Sequence, residues 1–337
     1  MHDIGPGDVL DQRFQITDVI QKSGMSTIYK AIDCDNRRFV AIKIPHMQLE
    51  SDAAYFSRFK REEEIGLKLD HPGIVKIVSM QNKSRPYIVM EYLEGQTLDH
   101  LLNELRPFPM DRALEIARKL CEVLDYIHQN DVVHRDLKPG NIMVCDDGSL
   151  RIIDFGIAKS LAMNRITFGG FSPKMGTPHY MAPEQIKGKR GDDRTDIYSL
   201  GAILYEMITG ALPFNGESTF DIMNARLMDD PKPPREINPA LLPQIEEIIL
   251  HALERESSDR YASAAQMKAE LDSPQAVTVT GRYKQSRWPV KKKSSSNDLE
   301  FMSRTQCGLN CFGNRCCSFF IHVLQILLFS SKLGGRP

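Results

Sequence analysis

Apolar and polar residues alternate along much of residues 14–93, with one stretch of helical period in between. Phe14–Ile20, Thr27–Ile32, Phe39–Ile44, Ile74–Gln81 and Tyr87–Glu91 are rich in β-branched and aromatic residues, which predicts strands. Asp52–Leu69 brings Phe56, Phe59, Ile65 and Leu69 near one face with charges elsewhere, which predicts an amphipathic helix. Five strands and one helix describe a small antiparallel lobe.

From about residue 97 the period becomes helical. Asp111–His128 sets Leu114, Ala117, Cys121 and Leu124 on one stripe. Short strand-like pieces follow at Val132–His134, Ile142–Val144 and Leu150–Ile153, then helical segments at Asp196–Thr209, Thr219–Met228, Gln244–Leu253 and Ala262–Asp272. Strands first and helices afterwards give an α+β chain of two lobes, about 14–93 and 94–272, with a cleft between them. Residues 1–13 read as an N-terminal extension. Residues 273–300 are polar and basic, with Lys291, Lys292 and Lys293 in a row, and read as a linker. The tail, residues 301–337, carries an apolar run at Phe319–Phe329, short of the roughly 20 residues that span a bilayer. An interfacial or partner-binding helix fits that run at least as well, so membrane association through it is a weak expectation.

The 337 residues are 42% hydrophobic and 26% charged, within the range of folded globular chains. A net charge of −1 gives no reason to expect nucleic acid as a partner. Met1–Asp11 has neither a basic stretch nor an apolar core of a signal peptide. Cys34, Cys121 and Cys145 are scattered as free thiols would be, so a cytoplasmic location is expected. Cys307, Cys311, Cys316 and Cys317 cluster without the paired spacing of a structural zinc site.

Five short motifs carry the chemistry. Val40-Ala41-Ile42-Lys43 comes first, then a helix glutamate at Glu62. His134-Arg135-Asp136-Leu137-Lys138-Pro139-Gly140-Asn141 is followed by Asp154-Phe155-Gly156 and Ala182-Pro183-Glu184. In this order and at these separations the chain resembles the eukaryotic-type Ser/Thr protein kinases of bacteria over about residues 14–272. The resemblance implies a two-lobed kinase fold, with a five-stranded antiparallel sheet and one helix in the first lobe and a mainly helical second lobe. It also implies ATP and Mg²⁺ as cofactors and proteins as substrates.

Phosphoryl transfer builds charge on oxygens that are already anionic, so positioning and neutralisation do most of the catalysis. Asn141 and Asp154 offer hard oxygen ligands for Mg²⁺. By the resemblance, Lys43 would hold the α- and β-phosphates and Glu62 would pair with it. Glu62 lies three positions after Phe59 and three before Ile65, so it can point inward with them. Asp136 would accept the proton of the substrate hydroxyl, and Lys138 would neutralise the γ-phosphoryl group. A lysine at 138 resembles Ser/Thr rather than tyrosine kinases. Ile28, Ala41 and Met143 would sandwich adenine, Met90 would be the gatekeeper, and Glu91 and Leu93 would bond the base through their backbone. His134, Phe155, Asp196 and the pair Glu184–Arg260 are expected to be structural.

The loop expected to cover the phosphates, from Ile20 through Gln21, Ser23, Gly24, Met25 and Ser26, departs from the family's G-x-G-x-x-G. Backbone N–H groups remain to bind phosphate, but a non-glycine residue forced to positive φ there would cost about 1–2 kcal/mol. This departure supports a rival reading, a pseudokinase scaffold with weak nucleotide binding; a small-molecule phosphotransferase is a third. Arg135 beside Asp136 suggests control by a phosphate on the segment 154–184, with Ser172 or Thr167 as its site and Thr177 shaping the substrate groove.

Overall fold

The computed structural model describes residues 4–50, 52–154 and 178–282. The expectations placed on Phe155, Thr167, Ser172 and Thr177 and on residues 283–337 fall outside these residues.

The first lobe is one antiparallel sheet in the order β1-β2-β3-β4-β6-β5. Its strands are β1 (Val9–Leu10), β2 (Phe14–Lys22), β3 (Ser26–Asp33), β4 (Arg38–Pro45), β5 (Ile77–Val78) and β6 (Ile88–Glu91). A two-residue strand thus joins the five expected, since Val9 and Leu10 pair with Gln15 and Phe14. The span Ile74–Gln81 contributes only β5 and an isolated bridge from Ile74 to Ile152. One sheet face buries Phe14, Ile16, Ala31, Val40, Ile42 and Val89.

After the single turn α1 (Met47–Glu50), helix α2 (Ala53–Lys68) crosses the other face. Asp52 caps it by accepting from the Ala54 and Tyr55 N–H groups, and charges at the remaining positions keep its outer face wet. Its buried stripe is Tyr55, Phe59, Glu62 and Gly66. Phe56, expected inside, is 43% exposed. Phe59 and Leu69 are buried as expected, but Tyr55 replaces Phe56 at the start of the stripe and Gly66 replaces Ile65, because α2 seats against β5 at Gly66, where an added Cβ would collide with Ile77.

A three-stranded sheet, β7 (Gly95–Thr97), β8 (Ile142–Cys145) and β9 (Leu150–Ile152), opens the second lobe. Its helices are α3 (Leu98–Glu104), α4 (Met110–Gln129), α5 (Pro183–Ile186), α6 (Asp193–Thr209), α7 (Thr219–Met228), α8 (Pro234–Ile237), α9 (Pro243–Ala252) and α10 (Ala264–Asp272). The expected stripe of α4, Leu114, Ala117, Cys121 and Leu124, is buried against α6 and α10. Each such leucine contributes about 1.5–3 kcal/mol by leaving water. Val132–His134, expected as a strand, is irregular. The N–H groups of His134 and Arg135 go to the Asp196 carboxylate and not to a neighbouring strand. No helix among the described residues is long and apolar enough to cross a membrane.

Candidate active site

Lys43 stands on β4 between Ile28 of β3 and Ile88 of β6. Its ammonium donates to Glu62 Oε1 at 2.5 Å and to Asp154 Oδ1 at 2.9 Å. The stripe of α2 delivers Glu62, and the strand end after β9 delivers Asp154. Burial disfavours the Lys43 ammonium, yet Asp154 and Glu62 together hold its pKa above the ordinary lysine range. Burial raises Glu62 against the pull of Lys43, and the Asp154 carboxylate raises it further. The physical cause is simple: two carboxylates share one cation in a desolvated site.

The second cluster hangs on Asp196, fully buried on α6. Its carboxylate accepts from the N–H groups of His134 and Arg135, both at 2.8 Å, and pairs with His128 Nε2 at 2.9 Å. Arg135 has φ 62°, a left-handed conformation costing a non-glycine residue about 1–2 kcal/mol. Two charge-assisted bonds to Asp196 offset that cost and aim the next residue, Asp136, outward. Burial opposes the charging of His128, but the Asp196 hydrogen bond and charge raise its pKa. Burial raises Asp196, but the hydrogen bond and charge of His128, the charge of His134 and the Arg135 backbone N–H together lower it.

Asp136 Oδ2 receives Lys138 Nζ at 2.9 Å and Asn141 Nδ2 at 3.2 Å. Asn141 Nδ2 also donates to the Asp136 carbonyl at 2.9 Å. Engaging the amide nitrogen there leaves Asn141 Oδ1 as an oxygen ligand. The Ile153 N–H donates to the Asn141 carbonyl at 3.0 Å, which ties the Asp136 cluster to the residue before Asp154. One carboxylate and one amide oxygen suit Mg²⁺, which takes few protein ligands and completes its shell with phosphate and water. No group of three or more His, Cys, Asp or Glu residues able to hold a metal occurs among the described residues.

Four of the residues expected around adenine lie together. Ala41 and Met90 are cross-strand neighbours, and Ile28 and Leu93 pack on the same apolar cluster. Met143 lies outside that cluster, half-buried on β8 opposite Thr97. The Glu91 N–H donates to the Lys76 carbonyl, so only its carbonyl can face a base.

At the hairpin joining β2 and β3 the strain expectation is overturned. No residue from Ile20 to Ile28 has positive φ. Gln21 pairs with Ile28 and Lys22 with Thr27, and the Ser23 hydroxyl closes the turn. It donates to Ser26 O at 2.9 Å and accepts from the Ser26 and Met25 N–H groups. Serine hydrogen bonding does here what glycine flexibility does elsewhere. Tyr55 adds a tether by donating from its hydroxyl to Met25 O at 3.1 Å. Ile20, Gln21, Ser23 and Gly24 are exposed, Met25 is half-buried and Ser26 is buried.

Glu184 and Arg260 form a bidentate pair, both bonds 2.8 Å, with the arginine side chain wholly buried. Next to Glu184, Gln185 accepts from the Ala182 N–H and donates to the Arg135 carbonyl. It joins the segment 178–182 to the loop carrying Asp136. The sequence reading missed His128, Gln185 and Tyr55; only the burial phase of α4 and α2 hinted at the first and last.

Comparisons with known proteins agree with this geometry. Residues 14–271 match the family described as protein kinase domain. The serine/threonine-protein kinase PknB of Mycolicibacterium smegmatis is 35% identical over 287 residues, covering 81% of this chain and 46% of that protein. A probable serine/threonine-protein kinase of Clostridium perfringens is 36% identical over 267 residues, covering 79% of this chain and 39% of that protein. The chain therefore spans less than half the length of the relatives it matches. Among solved structures, the Mycobacterium tuberculosis PknI kinase domain shares the fold with a TM-score of 0.64 at 22% identity, over 81% of this chain and all of that one. With its motifs gathered at one site and its sequence matched across both lobes, the chain belongs to the protein kinase domain family, among the eukaryotic-type Ser/Thr kinases of bacteria.

Proposed function

We propose that the chain transfers the γ-phosphoryl group of ATP to serine or threonine hydroxyls of proteins. One observation carries the reading: Asp136, Lys138 and Asn141 form one hydrogen-bonded unit, bonded through Ile153 to the strand end bearing Asp154 and its partners Lys43 and Glu62. Bound Mg²⁺, held by Asn141 and Asp154, would neutralise charge developing on the phosphates. Lys43 then turns from Asp154 toward the α- and β-phosphates while Glu62 keeps it extended. Asp136 accepts the hydroxyl proton, and Lys138, already at its carboxylate, neutralises the transferred group. Ile28, Ala41, Met90, Leu93 and Met143 enclose adenine, and the hairpin tip Gln21–Ser26 covers the phosphates through its N–H groups.

The lysine at 138 and the likeness to serine/threonine-protein kinases support Ser/Thr as the acceptor. The unstrained hairpin removes the main argument for a scaffold without turnover. Phosphorylation of Thr167 or Ser172, docking near Arg135, completes the proposal, with Thr177 lining the peptide groove. A reducing compartment, the cytoplasm, belongs to the proposal; the free thiols Cys34, exposed, and Cys121 and Cys145, buried, support it. Membrane contact by the tail and the absence of a nucleic-acid partner belong to the same proposal. Incubation with Mg²⁺ and labelled ATP tests it, with Asp136→Asn and Lys43→Ala as controls. Label on protein from the parent alone is expected; equal label from the controls refutes the reading.

A further inference from the structure

Arg226 on α7 is 1% exposed, yet no carboxylate pairs with it among the described residues. Its guanidinium lies 5.5 Å from the Tyr198 ring and 5.3 Å from the Phe214 ring. Nη1 donates to the Met181 carbonyl at 2.8 Å, whereas Nε and Nη2 are buried without a partner. A buried cation with no countercharge, held by one hydrogen bond and two ring faces, adds little net stability, and an apolar side chain of the same volume packs there about as well. Stability therefore does not account for it.

What it grips does. Met181 belongs to 178–182, whose His179, Tyr180 and Met181 are half-exposed. Three further bonds hold this stretch. Ser199 Oγ donates to Tyr180 O at 2.8 Å, Tyr180 OH donates to Glu206 at 2.5 Å, and Gln185 links the Ala182 N–H to the Arg135 carbonyl. One glutamine side chain thus separates Ala182 from the loop bearing Asp136. A peptide presenting its hydroxyl to Asp136 must run over this half-exposed stretch. We infer that Arg226 is a positioning residue for the protein substrate, fixing the Met181 carbonyl and with it the surface beside Asp136 that carries the substrate backbone. The inference rests on the protein kinase reading and names a residue through which that site selects its substrate.

Arg226→Met removes the donor and the charge at similar volume; Arg226→Lys keeps one donor and the charge. The probes are the intact chain, a serine peptide that the parent phosphorylates, and Mg-ATP. Arg226→Met should raise the peptide KM about tenfold to a hundredfold, the loss of one buried hydrogen bond to a charged donor. The ATP KM should stay unchanged and the urea midpoint should equal or exceed the parent's. Arg226→Lys should recover part of the peptide KM. An unchanged peptide KM, equal rises for peptide and ATP, or a lowered urea midpoint for Arg226→Met would each overturn the assignment. A parent without Mg-ATP-dependent transfer would instead refute the kinase reading, so the two failures are separate.

Discussion

Replacing Lys43 by methionine should destabilise the fold in a pH-dependent way. The parent site holds two carboxylates on one ammonium, with Lys43 and Glu62 side chains 12% and 7% exposed. Removing one partner of a buried pair costs about 3–5 kcal/mol. Asp154 is 32% exposed and keeps part of its hydration, so the loss belongs at the low end, about 3 kcal/mol at neutral pH. The sign with pH follows from Glu62, whose pKa in the folded protein is raised above its ordinary 4.5 by burial and by Asp154. A raised carboxyl favours the folded state when protonated. Its contribution is complete below about pH 4.5 and is lost as pH rises through the folded pKa. Without Lys43 that pKa climbs further. The deficit of Lys43→Met relative to the parent should therefore be steady from about pH 5 to about pH 7 and widen from about pH 8 to about pH 10, where Glu62 ionises in the parent but stays protonated in the variant. Urea unfolding followed by circular dichroism across that range measures it, with Lys43→Met/Glu62→Gln as the companion. The double variant should regain most of that added loss at alkaline pH, because no carboxyl remains there to be held protonated. A deficit that is flat with pH, or a double variant no more stable than the single, would refute the shared-cation account.

Glu184→Gln leaves the buried Arg260 guanidinium without its countercharge and should cost about 3–5 kcal/mol in urea unfolding; a loss under about 1 kcal/mol would contradict the pairing. Burial opposes protonation of His128, but Asp196 raises its pKa; the stability it supplies is complete below about pH 6.5 and is lost as pH rises through the folded value. The advantage of the parent over His128→Asn should thus shrink from neutral to alkaline pH, and a constant difference there would exclude a protonated His128. Ser23→Ala removes the hydroxyl that closes the hairpin tip, so the ATP KM should rise about fivefold, equivalent to about 1 kcal/mol, with kcat little changed. An unchanged ATP KM in steady-state assays would show that the turn does not hold the nucleotide.

Lys43, Asp136, Lys138, Asn141 and Asp154 could be named as candidates from the sequence because short motifs in the order of the kinase family carry them, and the structure bonds them into one cluster. Glu62 could be picked from three adjacent glutamates because helical period puts it in phase with Phe59. The same argument placed Phe56 inside, where the structure puts Tyr55, since the phase of α2 is set by its contact with Ile77 at Gly66. The glycine-poor loop was misjudged for a related reason. Composition records which residues can reach positive φ, not whether the backbone asks for it, and at the hairpin tip it does not.

Local sequence therefore determined the order of elements, the helix and strand periods and the reactive side chains, all of which depend on neighbours a few residues apart. Tertiary structure decided what crosses long separations: Asp196 holding the loop of Asp136 from 60 residues away, Gln185 joining it to the segment before α5, and Arg226 gripping Met181. Such contacts exist only once packing has excluded water and brought distant segments within hydrogen-bond range, and no period or motif along the chain records them.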